Sequence, residues 1–285
     1  MNKLKLLDLK KKATQIRKHI IDEVFSASSG HPGGSLSCTD ILTVLYFDEM
    51  NVKTNDPKWA DRDRFVLSKG HCAPALYAAL AIKGFFPEKD LVTFRHIDSY
   101  LEGHPNMNHV PGVDMSTGSL GQGISAAVGM ALAGKIDNKD YRVYSILGDG
   151  ELQEGQVWEA MMSGAHYKLD NLTAFVDHNG LQIDGKITDV MNPEPVADKF
   201  RAFGWNVIIV SNGHDVKQIK NAIERAKTVK GKPTMVVCET IKGKGVSFME
   251  NQYSWHGTAP SKEQRDQAFK ELDAYLDGLE VEVNG

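Results

Sequence analysis

Two apolar segments in the middle of the chain each end in a side chain that carries an oxygen, about thirty residues apart. Val143–Leu147 leads into a Gly-Asp-Gly turn centred on Asp149, and Leu172–Val176 leads into a turn that contains Asn179. Runs of this length predict neighbouring parallel strands, and open parallel sheets bind ligands at the carboxyl ends of their strands. Carboxylate and amide oxygens suit Mg²⁺ or Ca²⁺ better than zinc, and glycine lets backbone N–H groups approach a phosphate. The pattern favours a metal–phosphate site at the sheet edge over its alternative, a plain strand-to-helix turn.

The rest of the chain alternates between helical and strand-like segments. This predicts an α/β fold with a doubly wound, mostly parallel sheet and helices on both faces. The predicted strands are 64–68, 143–147, 172–176, 207–210 and 234–239. The predicted helices are 4–25, 37–47, 73–83, 125–135, a segment that ends near residue 167, 195–203 and 216–229.

Two segments between these elements are expected to be irregular. Residues 28–34 contain glycines and a proline that disfavour a helix, and residues 95–123 form a loop long enough to be functional. We predict a single domain over 1–285, which ends in a charged helix and an acidic tail from about residue 261.

Composition argues against several classes of protein. A net charge of −4 over 285 residues does not suit a nucleic-acid partner, and the longest apolar stretches are too short to span a membrane. The amino terminus lacks the apolar core of a signal peptide, so we expect none. Cys38, Cys72 and Cys238 are widely separated and form no CxxC pair, so we expect reduced thiols in a cytoplasmic protein.

Four histidines lie in turns that also contain glycine or proline, namely His31, His71, His104 and His256. Turns at strand ends bring imidazoles to a cleft, where they bind phosphate or hydroxyl groups and transfer protons near neutral pH. A histidine taken alone is more often structural. Four in similar turns, beside a candidate metal–phosphate motif, favour a shared site. None of the four has the HxxxH spacing of a zinc site.

These motifs, taken in order, resemble the transketolase family. The segments that carry the resemblance are 29–33, 70–71, 103–105, 117–123, the pair Asp149 and Asn179, and His256. The resemblance extends from about residue 10 to 260 and covers only the N-terminal, diphosphate-binding half of a transketolase. It implies the thiamine diphosphate-binding fold of the PP type. The chain looks like the N-terminal subunit of a split bacterial or archaeal transketolase, whose two further domains are not in this sequence.

The resemblance implies a role for each matching position. The implied Mg²⁺ ligands, with Ca²⁺ or Mn²⁺ as substitutes, are Asp149, Asn179 and the carbonyl of Leu181. The implied contacts to thiamine diphosphate are His71, Gly118, Ser119, Leu120, Gly150, Asn179 and His256. The groups implied to bind the ketose and move its protons are His31, His104 and His256. Glu154 matches the glutamate that links the two active sites of the dimer.

The implied reaction is transfer of a two-carbon ketol unit from a ketose phosphate to an aldose phosphate. The family's activating glutamate and its phosphate-gripping arginines come from the domains not found here, so we expect a separate C-terminal chain as partner, in an α₂β₂ assembly. One alternative is a protein like the N-terminal region of 1-deoxyxylulose-5-phosphate synthase or the alpha chain of a keto-acid dehydrogenase E1. Another is a non-catalytic nucleotide-binding module. The Gly-His-Pro turns favour transketolase, and the first strand lacks a Gly-x-Gly-x-x-Gly turn.

Some side chains depart from the family pattern or have two interpretations. Lys69 stands where many full-length transketolases have asparagine, and Ser35-Leu36-Ser37 replaces Ala-Pro-Leu, which affects the substrate-side contacts. Glu151 either complements a helix dipole or belongs to a dimer contact. We interpret the lysine- and glycine-rich segment 242–245 as a flexible loop in preference to a phosphate contact.

Overall fold

A five-stranded sheet forms the centre of the computed structural model, which describes residues 1–284 and the side chains of residues 1–279. The strands are β1 (Arg64–Leu67), β2 (Val143–Gly148), β3 (Leu172–His178), β4 (Leu181–Gln182), β5 (Gly185–Lys186), β6 (Asn206–Val210) and β7 (Thr234–Glu239). The main sheet has the order β1-β2-β3-β7-β6 with every pair parallel, and β4 and β5 form a separate antiparallel hairpin. The predicted parallel α/β sheet is confirmed.

Ten α-helices of the described chain surround the sheet. They are α1 (Lys3–Ala27), α2 (Pro32–Ser37), α3 (Thr39–Val44), α4 (Ala73–Lys83), α5 (Gln122–Ile136), α6 (Gly155–His166), α7 (Ile187–Val190), α8 (Val196–Ala202), α9 (Val216–Thr228) and α10 (Lys262–Asn284). Two separate apolar cores show how the longer helices are distributed. Helices α1, α3, α4 and α9 pack on one face of the sheet, and α5, α6 and α8 pack on the other. The prediction of a doubly wound sheet is therefore confirmed.

The sheet register brings the two candidate oxygen donors to one edge. Gly148, the last residue of β2, lies beside Asp177 in β3. Asp149 and Asn179 therefore follow neighbouring strands at the same height. The core strands are apolar along nearly their whole length because helices cover both faces, and polar chemistry is left to the strand ends.

Helix α2 contradicts the prediction that residues 28–34 avoid helical structure. Pro32 occupies the first helical position, where it needs no N–H donor. A Cβ on Gly33 would lie 2.8 Å from the carbonyl oxygen of Trp255, and one on Gly34 would lie 2.9 Å from Cys72 Sγ. Tertiary packing thus outweighs the low helix propensity of glycine. The predicted helix 37–47 is also divided, into the end of α2, α3 and a π-helical turn at Leu45–Glu49.

The β4–β5 hairpin and α7 were not predicted, and further differences are at element ends. Helix α5 begins at Gln122, three residues before the predicted start, and otherwise residues 95–121 are irregular as expected. The backbone of residues 279–283, which we assigned to an acidic tail, belongs to α10, and Gly285 lies outside the described residues. Within residues 1–284, none of the helices has the length and apolar character needed to cross a membrane.

Candidate active site

A cavity of about 360 Å³ opens at the carboxyl ends of β2 and β3. The structure brings most of the sequence-predicted residues to its wall, in the positions expected from the sheet edge. The predicted residues that line it are His31, His71, Gly118, Leu120, Asp149, Gly150, Glu154, Asn179, Leu181 and His256. Ser119 and His104 are not among the lining residues.

Asp149 is a buried carboxylate at the floor of this cavity, with 2% of its surface exposed. Its Oδ1 accepts a hydrogen bond from the Gly150 N–H at 2.8 Å, and its Oδ2 accepts one from the Gly180 N–H at 2.5 Å. Burial, followed by the nearby Asp177 carboxylate, raises the pKa of Asp149 to about 6. A buried carboxylate under this penalty is stabilised by a cation, so the position suits a metal ion.

Asn179 lies in the turn between β3 and the β4–β5 hairpin. Its Oδ1 accepts from the backbone N–H of Leu181 at 3.1 Å, and its amide Nδ2 donates to Asp177 Oδ2 at 3.4 Å. The carbonyl of Leu181 accepts from Lys242 Nζ at 3.4 Å. Carboxylate, amide and carbonyl oxygens therefore lie in one wall, which is the donor chemistry of Mg²⁺ or Ca²⁺.

Three of the four predicted histidines form a triangle of rings beside this wall. The ring centroids of His31 and His71 are 5.2 Å apart, those of His31 and His256 are 5.4 Å apart, and those of His71 and His256 are 5.2 Å apart. They come from the start of α2, the turn after β1 and a 3₁₀ turn at Tyr253–His256. Distant segments of the sequence thus converge on one cluster.

The environment keeps two of these rings neutral. Burial, followed by the neighbouring His71, lowers the pKa of His31 to about 4. Burial, followed by the ammonium of Lys242, lowers the pKa of His256 to about 3. Lys242 Nζ lies 3.1 Å from His256 Nδ1. Because an ammonium group donates, Nδ1 accepts, and the single proton of His256 is on Nε2, available as a donor.

Lys242 is a site residue that the sequence analysis missed. We interpreted residues 242–245 as a flexible loop, but Lys242 is only 2% exposed and lines the cavity. Burial, followed by the repulsion of Lys69, lowers the pKa of Lys242 to about 8. The signal that could have identified it is its position just after β7, on the same sheet edge as Asp149.

Glu151 makes a set of hydrogen bonds that neither sequence interpretation included. The carboxylate is buried within the chain, and its Oε1 accepts from Ser68 Oγ at 2.5 Å and from the Gly121 N–H at 2.9 Å. Its Oε2 accepts from the Gly148 N–H at 3.1 Å. Glu151 therefore joins the end of β1, the glycine loop before α5 and the end of β2 beneath the cavity.

The glycine loop at residues 118–121 closes another side of the cavity. A Cβ on Gly70 would lie 2.6 Å from the backbone nitrogen of Gly118, so the two turns approach too closely for any side chain. Gly118 and Leu120 line the cavity, whereas Ser119 is exposed and its carbonyl accepts from the Gln122 N–H at 3.2 Å. The loop thus presents backbone groups to the cavity.

His104 and Glu154 lie at the rim. The His104 ring packs against Gly118, where an added Cβ would lie 2.8 Å from His104 Cδ2, and it lines a neighbouring cleft of about 800 Å³ together with Arg95. Burial, followed by the charge of Arg95, lowers the pKa of His104. Glu154 is exposed at the start of α6, packs beside Gly121 of the glycine loop and lines the cavity.

The fold and the site together define a parallel α/β domain with hard oxygen donors, neutral imidazoles and a buried ammonium at its sheet edge. Residues 9–274 match the family model for the thiamine diphosphate binding domain of transketolase. The chain therefore belongs to the transketolase family and corresponds to its N-terminal, thiamine diphosphate-binding part.

Two relatives have nearly the same length as this chain. It is 47% identical to the 6-deoxy-6-sulfo-D-fructose transketolase subunit of a Clostridium species, over 94% of this chain and 97% of that protein. It is 45% identical to an apulose-4-phosphate transketolase subunit of Phocaeicola vulgatus, over 94% of this chain and 95% of that protein.

Full-length transketolases are longer. The transketolase structure from Campylobacter jejuni aligns with a TM-score of 0.89 at 35% identity, over 96% of this chain and 43% of the other. The chain thus spans somewhat more than two fifths of a full-length transketolase.

Proposed function

We propose that the chain binds thiamine diphosphate and Mg²⁺ at this cavity and, together with a second subunit, transfers a two-carbon ketol group from a ketose phosphate to an aldose phosphate. The observation that carries the proposal is the buried Asp149 carboxylate, beside Asn179 and three clustered imidazoles, at the carboxyl edge of a parallel sheet. The family match supports the cofactor.

The residues present fit a metal-bound diphosphate. In the described part of the chain, no three His, Cys, Asp or Glu side chains come together as a metal site. Asp149 would instead hold Mg²⁺ with the Asn179 amide oxygen and the Leu181 carbonyl, and phosphate oxygens would complete the coordination, as Mg²⁺ prefers. Backbone N–H groups of the glycine turns and the Lys242 ammonium, at 2% exposure, offer the positive surface that a diphosphate needs.

The hydrogen-bond donors around the cavity differ in charge and position, so we assign them to different ends of the cofactor. The Lys242 ammonium and the Nε2–H of His256 would contact the anionic end of the cofactor, together with His71, Gly150 and Asn179. Gly118, Ser119 and Leu120 would hold its ring end through their backbone. Because Ser119 is exposed and does not line the cavity, its contact is the least supported of the three.

The substrate side would be formed by His31, His104 and His256. His31 lines the cavity and would bind a sugar hydroxyl there, while its Nδ1 is buried without a hydrogen-bond partner in the part of the chain that the structure describes. The pKa values of His31 and His256, about 4 and about 3, leave both rings neutral near pH 7, so both would bind sugar hydroxyls as uncharged hydrogen-bonding groups. Thiamine diphosphate supplies the electron sink that carbon–carbon bond cleavage requires.

Two relatives of matching length are named as transketolase subunits, which supports a separate partner for this chain. We propose that the partner supplies the missing wall of the active site in an α₂β₂ assembly, with Glu154 at the contact between active sites. The names of these relatives specify sulfofructose and apulose 4-phosphate, so the donor of this chain need not be a pentose phosphate. Three buried free cysteines are consistent with a cytoplasmic location.

The test is thiamine diphosphate binding by the assembled complex, measured by calorimetry with and without Mg²⁺. We expect Asp149→Asn to abolish the Mg²⁺-dependent part of the affinity, because the substitution removes the metal's anionic ligand. Asp61→Asn, which removes an exposed carboxylate paired with Lys139, is the matched control and should bind normally. Unchanged Mg²⁺-dependent binding in the Asp149 variant would refute the metal assignment.

A further inference from the structure

A second buried carboxylate lies beneath the proposed metal site. Asp177, in β3, is fully buried two residues before Asn179. Its Oδ2 accepts from Lys69 Nζ at 2.5 Å and from Ser37 Oγ at 2.5 Å, and its Oδ1 accepts from Thr240 Oγ1 at 2.5 Å. Every bond comes from a different segment of the chain.

Lys69 and Ser37 are two of the positions at which the sequence departs from the full-length transketolase pattern. The structure shows that both departures end at the same oxygen, Asp177 Oδ2. Lys69 lines the cavity but is only 2% exposed, and its ammonium is directed to Asp177 and to the Gly34 carbonyl, to which it donates at 3.1 Å. Lys69 and Ser37 therefore belong, with Thr240, to one buried cluster centred on Asp177.

The cluster centred on Asp177 joins four segments that border the cavity. They are the turn after β1, which carries His71; helix α2, which follows His31; the end of β3, which precedes Asn179; and the residue after β7, close to Lys242. A buried ion pair is weak evidence for stability, because desolvation offsets the attraction between the charges. We therefore assign the Lys69–Asp177 pair a geometric role, because it fixes where these segments meet.

The clearest geometric consequence concerns the Asn179 amide. Its Nδ2 donates to Asp177 Oδ2 at 3.4 Å, so the carboxylate selects the orientation in which Oδ1 points away, toward the Leu181 backbone. The opposite orientation would place two oxygens against each other. Only an Asn179 with an outward Oδ1 can offer an oxygen to a metal ion.

We propose that the buried Lys69–Asp177 pair, supported by Ser37, is a positioning device that sets the Asn179 amide and helix α2 at Gly34 for the metal–diphosphate site. The inference rests on the proposed function, because it concerns the same site. It assigns Lys69 and Asp177 a role through Asn179 and not through contact with substrate.

A merely structural role makes a different prediction, and a double variant separates the two. Lys69→Met leaves Asp177 buried without its counter-charge, so both stability and metal affinity should fall. Lys69→Met combined with Asp177→Asn removes both charges. If the pair serves only to stabilise the fold, this double variant should regain both its stability and its metal affinity. If the pair positions Asn179, the double variant regains the urea midpoint but not the metal affinity.

The experiment measures two quantities on each protein. Urea unfolding of the full chain without ligand gives the midpoint. Mn²⁺ titration of the assembled complex at saturating thiamine diphosphate, followed by the electron paramagnetic resonance of free Mn²⁺, gives the affinity. We expect the double variant to bind Mn²⁺ about 10- to 100-fold more weakly than wild type, the range seen when partners of metal ligands are removed.

The matched control is the largely buried pair Arg62–Asp114, whose Nη2–Oδ1 distance is 2.6 Å and which does not line the cavity. Arg62→Met with Asp114→Asn should leave Mn²⁺ affinity unchanged. Ser37→Ala, a milder change, should weaken Mn²⁺ binding while the chain stays folded.

Wild-type affinity in the Lys69–Asp177 double variant and in Ser37→Ala would overturn the inference. If wild-type complex binds no Mn²⁺ with thiamine diphosphate, the proposed function itself fails, and the inference fails with it.

Discussion

Glu23 makes the chain's stability depend on pH in a way that can be worked out from its surroundings. The side chain is fully buried in α1, and neither of its carboxyl oxygens has a hydrogen-bond partner among the groups that the structure describes. Burial, followed by the adjacent Asp22 carboxylate, raises the pKa of Glu23 well above its usual value. The folded chain therefore holds Glu23 protonated while the unfolded chain releases the proton near pH 4.5.

The sign of the effect follows from the protons bound. Above pH 4.5 and below the folded pKa, the folded state binds one more proton than the unfolded state, so stability falls as pH rises. The slope from one such group is at most about 1.4 kcal/mol per pH unit. Glu23→Gln keeps a polar group of the same shape but abolishes the titration. Glu23→Met also removes the unpartnered polar atoms, which should add about 1–3 kcal/mol at every pH.

The assay is urea unfolding followed by tryptophan fluorescence between pH 5 and 6.5. We expect the difference in unfolding free energy between Glu23→Gln and wild type to grow in favour of the variant as pH rises. Glu23→Met should exceed wild type already at pH 5. Parallel pH dependence of wild type and Glu23→Gln would refute the reasoning, because it would mean that Glu23 is ionised in the folded chain or is not buried.

Three further predictions concern the helices and the cavity. In α5, Gly129→Ala should raise stability by about 0.5–1 kcal/mol, because the added Cβ would meet nothing within 4 Å. Gly123→Ala should lower stability, because its Cβ would lie 2.6 Å from Ser68 Cα. Thermal unfolding of the two variants checks both predictions. Because the folded pKa of His31 is lowered to about 4, its contribution to stability is complete above pH 6.5 and is lost as pH falls toward 4, so His31→Gln should flatten the acid side of the stability profile measured by urea unfolding. Lys242→Met should weaken thiamine diphosphate binding by the complex about 10- to 100-fold in calorimetry, the equivalent of one charge-assisted hydrogen bond of about 1.5–3 kcal/mol, and equal affinity would remove Lys242 from the cofactor site.

The metal wall and the histidine cluster could be predicted because their signals are local. Asp149 and Asn179 follow apolar runs whose parallel pairing brings the strand ends together, and the observed register of Gly148 beside Asp177 reproduces that arrangement. His31 and His71 stand in glycine turns that the family motifs already mark. The same reasoning, that the carboxyl ends of parallel strands meet at one edge of the sheet, would also have placed Lys242, just after β7, near the site.

Other features depend on packing between distant segments, which the local sequence does not show. Helix α2 forms through two glycines because Trp255 and Cys72 press against it. The role of Glu151 depends on three donors from three different segments. Lys69 stands out in the sequence only as a departure from the family pattern, and the position of Asp177 explains its burial.

The most direct test of the central claim is ketol transfer from xylulose 5-phosphate to ribose 5-phosphate, assayed with thiamine diphosphate and Mg²⁺. The chain would be measured alone and then mixed with the protein encoded next to it, with Asp149→Asn as the matched inactive variant. We predict turnover only in the mixture, only with both cofactor and metal, and none with the variant. Turnover by the chain alone would contradict the need for a partner, and equal turnover by the Asp149 variant would contradict the proposed site.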